Sequence, residues 1–62
     1  MTKLIINLTG GVSVQTQSNV AADLAGLINA ATDKIYTCTD LFNGHTTYVV
    51  VDQIISFADA PA

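Results

Sequence analysis

Two segments near the start of the chain, residues 3–8 and 12–17, alternate apolar and polar side chains and predict two antiparallel strands. A three-residue loop between them pairs Leu8 with Val12 and collects the apolar side chains of both strands on one face. A two-residue loop would instead place apolar residues opposite polar ones. We therefore predict a three-residue hairpin loop with Gly11 in the left-handed region.

A helical period follows in residues 20–31, where apolar side chains recur at i, i+4, i+7, i+8 and i+11. This spacing forms one stripe of an amphipathic helix. Ser18 or Asn19 is a suitable N-cap, because its side-chain oxygen can accept a bond from the first turn. We predict a helix that ends near Ala30 or Ala31.

The remaining faces of this helix carry small residues and a single charge, Asp23. Ala22 and Gly26 lie four residues apart, which lets a neighbouring backbone approach closely. Glycine inside a helix costs roughly 1 kcal/mol relative to alanine, so its presence favours a contact surface over a merely bland one. We interpret this side of the helix as a candidate subunit contact.

Residues 34–42 and 45–51 predict a second hairpin around Asn43-Gly44, a pair typical of two-residue type I′ turns. That turn pairs Cys38 with Val49 on the face that we expect to meet the helix and the core. The opposite face has few charges, and we expect it to meet another subunit or a ligand. Its members are Ile35, Thr37, Thr39, Leu41, Thr46, Tyr48, Val50 and Asp52.

The end of the chain predicts a short last strand at Ile54–Phe57 and a tail over residues 58–62. The order is two strands, a helix, and two or three further strands. This order predicts an α+β fold, with a small antiparallel sheet of four to five strands and one helix packed on one face. We predict one domain over residues 1–62.

Composition adds a prediction about assembly. Half of the residues are hydrophobic and only 11% are charged, whereas about 25% charged residues is usual. A 62-residue chain is near the lower limit for independent folding, and one small core cannot hide so much apolar surface. No apolar run reaches the roughly 18–20 residues of a spanning helix, and no secretory signal pattern begins the chain. The sequence therefore predicts a cytoplasmic homo-oligomer without a membrane role.

The ionic side chains argue against several functions. The net charge is −3, from five aspartates against Lys3 and Lys34, with no arginine. Nucleic-acid binding needs a basic surface to neutralise phosphates, so this function is disfavoured, and affinity that falls steeply with salt would be its signature. The lone Cys38 cannot form a disulfide within its chain and suits a reducing compartment. No spacing of Cys and His predicts a metal site, and no cofactor is expected.

The candidate chemistry is sparse. His45 is the only histidine, and the predicted hairpin places it near Asp40 with Cys38 on the same face. In a catalytic interpretation, Cys38 is the nucleophile, His45 is the base, and Asp40 orients His45. We instead interpret His45 as a residue at the hairpin end and predict no enzymatic activity. An enzyme completed across subunits around His45 stays an alternative. We interpret all five aspartates as residues of helix caps, turns or strand ends: Asp23, Asp33, Asp40, Asp52 and Asp59.

The leading hypothesis is a non-enzymatic homo-oligomeric module that binds or sequesters a small polar ligand, such as a nucleotide-like one, at a subunit interface. The expected ligand-binding residues are Tyr36, Phe42, Asn43, His45, Thr47 and Tyr48. The expected anion site is formed by Ser18 and Asn19 at the helix start. The expected oligomer interface contains Ala22, Gly26, Ile35, Leu41, Val50 and Ile54.

The alternative hypothesis is a protein-interaction or inhibitor module that acts through an edge strand at Ile54–Phe57 or through the apolar sheet face. The closing run, residues 44–57, resembles in general terms the last strands of many small bacterial and phage β-proteins. This resemblance identifies no family. It implies only that a phage origin is consistent with the hypothesis of an interaction or inhibitor module.

Overall fold

The computed structural model describes residues 1–30 and 34–62. Within these ranges one helix and five strands divide into two antiparallel sheets, ordered β2-β1-β5 and β3-β4. The elements are β1 (Thr2–Leu8), β2 (Ser13–Thr16), α1 (Ala21–Ala30), β3 (Ile35–Thr39), β4 (Thr46–Val50) and β5 (Ile54–Pro61). The predicted α+β class is confirmed, whereas the prediction of a single sheet is wrong. The packing of the helix on one sheet face stays a prediction, and Ala31 and Asp33 lie outside the described residues.

The first hairpin has the predicted register. Ile6 lies opposite Val14, and the Leu8 N–H donates to the Val12 carbonyl at 2.8 Å. The loop contains three residues, and Gly11 has a φ of 78° as predicted. A shift of this pairing by one residue would turn the apolar side chains away from the core, so apolar burial favours the observed register.

The last strand is longer than the sequence indicates. The predicted tail over residues 58–62 is wrong, because β5 continues to Pro61 and pairs with β1 from Leu8 back to Thr2. Hydrogen-bonded and non-bonded pairs alternate in an antiparallel ladder. The Ala62 N–H donates to the Met1 carbonyl at 3.3 Å, so the adjacent Pro61 occupies a non-bonded position on the edge strand. Its missing N–H therefore costs no ladder bond.

The second hairpin differs from the prediction in register. Cys38 lies opposite Thr47, two residues from the predicted partner, so the predicted two-residue turn is wrong. The longer loop is held by its own side chains: Asp40 Oδ1 accepts the Phe42 N–H at 2.7 Å, and Asn43 Oδ1 accepts the His45 N–H at 2.8 Å. Local bonds of this kind stabilise turns in competition with the ladder. A shift of two residues preserves the faces. The predicted core-facing side is therefore confirmed within β3 and β4, but it is wrong for Phe42 and His45, which are exposed in the loop.

The core lies between the two sheets and the helix. Its buried side chains are Leu4, Ile6, Val14, Leu24, Tyr36, Cys38 and Val49, with Thr16 as the buried polar residue. The Leu41 N–H donates to the Gln15 carbonyl at 2.9 Å and links the sheets. Among the described members of the predicted helical stripe, only Leu24 is fully buried, whereas Leu27 is 44% exposed. The helix therefore leaves part of its apolar side open.

The helix start is capped from the end of the chain. The predicted cap residues Ser18 and Asn19 bond elsewhere, and the Ala21 N–H donates instead to Asp59 Oδ1 at 2.9 Å. A carboxylate at this end satisfies an orphan N–H and opposes the positive end of the helix dipole. Asp59 thereby ties β5 to the helix.

Replacing Asp59 by alanine is expected to lower the free energy of unfolding by about 1 kcal/mol, because a side-chain cap of the helix is lost. Asp59→Asn should retain much of the capping, since asparagine is also a good cap. Asp52→Ala is the matched control: Asp52 is exposed, and its loss should change stability by less than about 0.5 kcal/mol. Urea unfolding followed by circular dichroism measures all three. Equal losses for Asp59→Ala and Asp52→Ala would contradict the capping role.

Candidate functional site

A pocket of about 270 Å³ lies between α1 and β3. Its walls combine apolar and polar surface in comparable amounts, and none of the seven lining residues among the described part of the chain is charged. The lining residues are Asn19, Leu24, Leu27, Ile35, Tyr36, Thr37 and Val51. Ligand pockets are typically apolar with a few placed polar groups and measure about 300–1,000 Å³. This pocket therefore suits a small neutral group.

Two polar side chains are fixed beside each other in the pocket. The Tyr36 hydroxyl donates to Asn19 Oδ1 at 2.7 Å. Burial raises the pKa of Tyr36, with smaller contributions from Cys38 and Asp23, so the hydroxyl stays protonated and keeps donating. The Asn19 amide nitrogen adds two donors, and the Tyr36 oxygen can still accept. The pair thus offers a neighbouring donor and acceptor to a ligand.

The ladder between β3 and β4 shows which backbone groups face the pocket. The Asp40 N–H donates to the His45 carbonyl at 3.0 Å, and the Val51 N–H donates to the Lys34 carbonyl at 2.9 Å. Bonded and non-bonded positions alternate along each antiparallel strand. The even-numbered residues of β3 therefore bond to β4, and the odd-numbered residues turn their N–H and C=O groups to the opposite edge.

The opposite edge of β3 is only partly used. The Thr39 N–H donates to Ser18 Oγ at 3.1 Å, as the alternation requires. Across residues 1–30 and 34–62, no hydrogen bond reaches the outward backbone groups of Ile35 and Thr37. Both residues line the pocket. One wall of the pocket is therefore an open strand edge.

A second surface adjoins the pocket. The outer hairpin face consists of the side chains on the side of the β3–β4 sheet away from the core: Ile35, Thr37, Thr39, Thr46, Tyr48 and Val50. Ile35 and Val50 are direct cross-strand partners, and Tyr48 is 70% exposed. The face contains no charged residue. Because Ile35 also lines the pocket, the two surfaces are continuous.

The structure does not bring the six predicted ligand-binding residues together. Tyr36 lines the pocket, whereas Phe42, Asn43 and His45 lie in the loop between β3 and β4. Tyr48 lies on the outer hairpin face. Thr47 is half-buried on the core side, next to the loop in sequence. The role of these residues in ligand binding stays a prediction.

The predicted anion site and oligomer interface also stay predictions. Ser18 Oγ accepts the Thr39 N–H, Asn19 accepts the Tyr36 hydroxyl, and the first helical N–H is bonded to Asp59. Of the predicted interface residues, Ile54 is half-buried against the core. The others are exposed: Ala22, Gly26, Ile35, Leu41 and Val50.

Cys38 is buried and its chemistry is suppressed. Burial raises the pKa of the Cys38 thiol most strongly, and the nearby Asp40 raises it further, whereas a hydrogen bond with Thr16 lowers it. The thiol therefore stays protonated at neutral pH, and a thiolate is the reactive form. Among the described residues, no three of His, Cys, Asp and Glu cluster closely enough to hold a metal ion. The same residues contain no helix with the length and apolar character to cross a membrane.

Sequence reasoning missed part of the pocket lining. The helical period included Leu27 in the apolar stripe, but nothing in that period shows that its exposed side borders a pocket. Thr37 was assigned to the outer face, and the alternation of side chains carries no signal for an open backbone edge. Val51 continues the alternation of the core-facing side beyond Val49, and it is half-buried there.

No family model, curated protein or solved structure matches this chain. A fold by itself does not determine function, because one architecture supports many activities. The functional argument therefore rests on the pocket, the open edge of β3 and the outer hairpin face.

Proposed function

We propose that this protein is a non-enzymatic binding module that works as a homo-oligomer and binds a small, polar, uncharged ligand in the pocket between α1 and β3. The observation that carries the proposal is the pocket itself, which combines apolar side chains with the hydrogen-bonded pair of Tyr36 and Asn19. Such a combination holds a ligand by burial and orients it by a few polar contacts.

The shared position of Ile35 supports a site at a subunit interface. Ile35 belongs to both the pocket wall and the outer hairpin face, so a second copy on that face would lie directly beside the pocket. Each copy carries a net charge of −3, and an uncharged face lets two acidic copies meet with the least repulsion.

The interface must extend beyond the six residues of this face. A standard interface covers about 800 Å² per partner. That is roughly a fifth of the 3992 Å² accessible surface of the described chain. Leu41 and Phe42, exposed at the hairpin tip, are the nearest apolar side chains that could extend it.

The charge of the pocket favours a neutral ligand over a phosphorylated one. No cation is among the lining residues in the described part of the chain, and the sequence contains no arginine. Phosphate groups are usually held by Arg, Lys or backbone N–H groups at a helix start. The helix start here is bonded to Asp59, a carboxylate that would repel a phosphate.

A screen of neutral small molecules by thermal shift and native mass spectrometry tests this proposal. Leu27→Trp fills the pocket from a partly exposed position, and Asn29→Trp adds the same side chain at an exposed position of α1 outside the pocket. We expect bound ligands to raise the melting temperature of the wild type and Asn29→Trp but not that of Leu27→Trp. Failure of every compound, or equal binding by both variants, would refute the pocket as the site.

A second candidate function, protein interaction through an edge strand, is favoured by the position of β5. This strand pairs with β1 on one side only, so its other edge is open within the described chain. Pro61 and the aspartate at position 59 limit strand addition at its far end. The test is hydrogen exchange with a candidate partner from a pull-down: protection confined to the β5 amides supports this function, and unchanged exchange there excludes it.

A further inference from the structure

The open edge of β3 restricts the chemical class of the ligand more than the pocket volume does. On the basis of the proposed binding function, we infer that the polar, uncharged group bound at this site is the backbone of an extended peptide segment. The segment adds as a strand beside Ile35–Thr37 and places one apolar side chain in the pocket. The segment belongs to a partner protein and is uncharged at this point.

The hydrogen-bonding pattern of the edge favours a polypeptide. The outward groups of Ile35 and Thr37 are two residues apart, a repeat of about 6.6–6.8 Å along a strand. A small rigid ligand can satisfy one of these positions. An extended backbone presents N–H and C=O groups with the same repeat and can satisfy both, which is the basis of strand addition.

The pocket accounts for the side-chain selectivity. Successive side chains of a strand point to opposite faces, so an added strand directs every second side chain toward α1. Leu24 and Leu27 form the apolar wall there, and about 270 Å³ accommodates one side chain of leucine or phenylalanine size. The absence of charge among the lining residues selects a neutral segment.

The edge also limits the length of the segment. Thr39 is already bonded to Ser18 Oγ, so the edge closes at that point. The open part spans Ile35 to Thr37, or about 10 Å from three residues. We therefore expect a short docking motif rather than a long paired strand.

The other strand edges lack this combination. The outward edge of β4 carries Thr46, Tyr48 and Val50, and none of them lines the pocket. The outer edge of β5 ends in Pro61, which has no N–H to donate. Among the described strand edges, open backbone groups and the pocket thus coincide at β3.

The test uses the blocked tripeptide acetyl-valyl-leucyl-valinamide and the same peptide with methylated backbone nitrogens. Each is titrated into the full chain and followed by the amide signals of a proton–nitrogen correlation spectrum. We expect saturable shifts of the Leu27, Ile35 and Thr37 signals with the plain peptide. The methylated peptide should bind at least about tenfold more weakly, because its backbone nitrogens can no longer donate hydrogen bonds to the edge.

Thr37→Pro tests the same edge from the protein side. Proline removes the outward N–H, while the ladder bonds of Tyr36 and Cys38 remain. We expect about tenfold weaker binding of the plain peptide. Thr46→Pro is the matched control, because it makes the same change at the outward edge of β4, and its affinity should equal that of the wild type. Well-dispersed spectra of both variants verify that they fold, and the methylated peptide tests the edge without any substitution.

The outcomes separate this inference from the proposed function. Equal affinity for both peptides, no binding by either, or shifts confined to Thr46–Val50 would overturn strand addition at β3. Neutral small molecules that bind the wild type and not Leu27→Trp would still support the pocket. Plain-peptide binding that Thr37→Pro weakens and Leu27→Trp leaves unchanged would support the edge and refute the pocket.

Discussion

Replacing Leu24 by alanine is expected to lower the free energy of unfolding by about 2–5 kcal/mol. Leu24 is 0% exposed and is the one residue of α1 that is fully buried. Its removal leaves a cavity where the helix meets both sheets. Domains have total stabilities of about 5–15 kcal/mol, and one this small lies toward the lower end, so a large unfolded fraction is expected. Urea unfolding monitored by circular dichroism measures the loss.

Leu27→Ala is the control within the same helix. Leu27 also lines the pocket but is 44% exposed, so its truncation should cost about 1 kcal/mol. The comparison holds residue type, helix and pocket constant and varies burial. Equal losses from the two substitutions would show that the helix does not pack as described.

Replacing Val50 by lysine is expected to dissociate the proposed homo-oligomer into single chains of 6.5 kDa. Val50 is 45% exposed in the single chain and lies opposite Ile35 on the outer hairpin face. In the monomer, water solvates the lysine side chain at this position. In an interface its charge would be buried without an opposite charge nearby, at a cost of several kcal/mol. Size-exclusion chromatography with light scattering measures the mass, and circular dichroism verifies the fold.

Val12→Lys provides the matched control for the interface. Val12 is 57% exposed, more than Val50, and lies at the turn of the first hairpin instead of on the outer hairpin face. We expect this variant to keep the mass of the wild type. Dissociation by both variants, or by neither, would mean that the outer hairpin face does not hold the copies together.

The contrast between the two hairpins shows what side-chain alternation can predict. In the first hairpin the correct register differs from its competitor by one residue, which would reverse the faces, so apolar burial decides between them. In the second hairpin the competing registers differ by two residues and bury the same faces. In the observed register, Asp40 and Asn43 make hydrogen bonds within the loop. The Asn-Gly pair favours a two-residue turn in the sequence, so these bonds were not predicted.

The extent of the last strand depends on contacts that are distant in sequence. Alanine and aspartate are depleted in strands, so residues 58–60 give little local signal. Their pairing with β1 joins the two ends of the chain, from Thr2 to Pro61. The bond from Ala21 to Asp59 crosses 38 residues and has no local signature. Tertiary pairing therefore overrides weak propensity at this end.

The candidate site could be predicted only in fragments. Tyr36 and Asn19 were among the predicted site residues, and Ile35 was among the predicted interface residues, yet their meeting in one pocket follows from the packing of α1 beside β3. Side-chain periodicity indicates which face of a strand is buried, but it does not indicate which strand lies alongside. The division into two sheets, which leaves the edge of β3 open, could therefore not be predicted from the sequence pattern.

The mass of the wild-type protein in solution tests the association of copies through the outer hairpin face most directly. Light scattering across a wide range of concentrations should give a fixed multiple of 6.5 kDa. A soluble species that stays at 6.5 kDa throughout that range would contradict it.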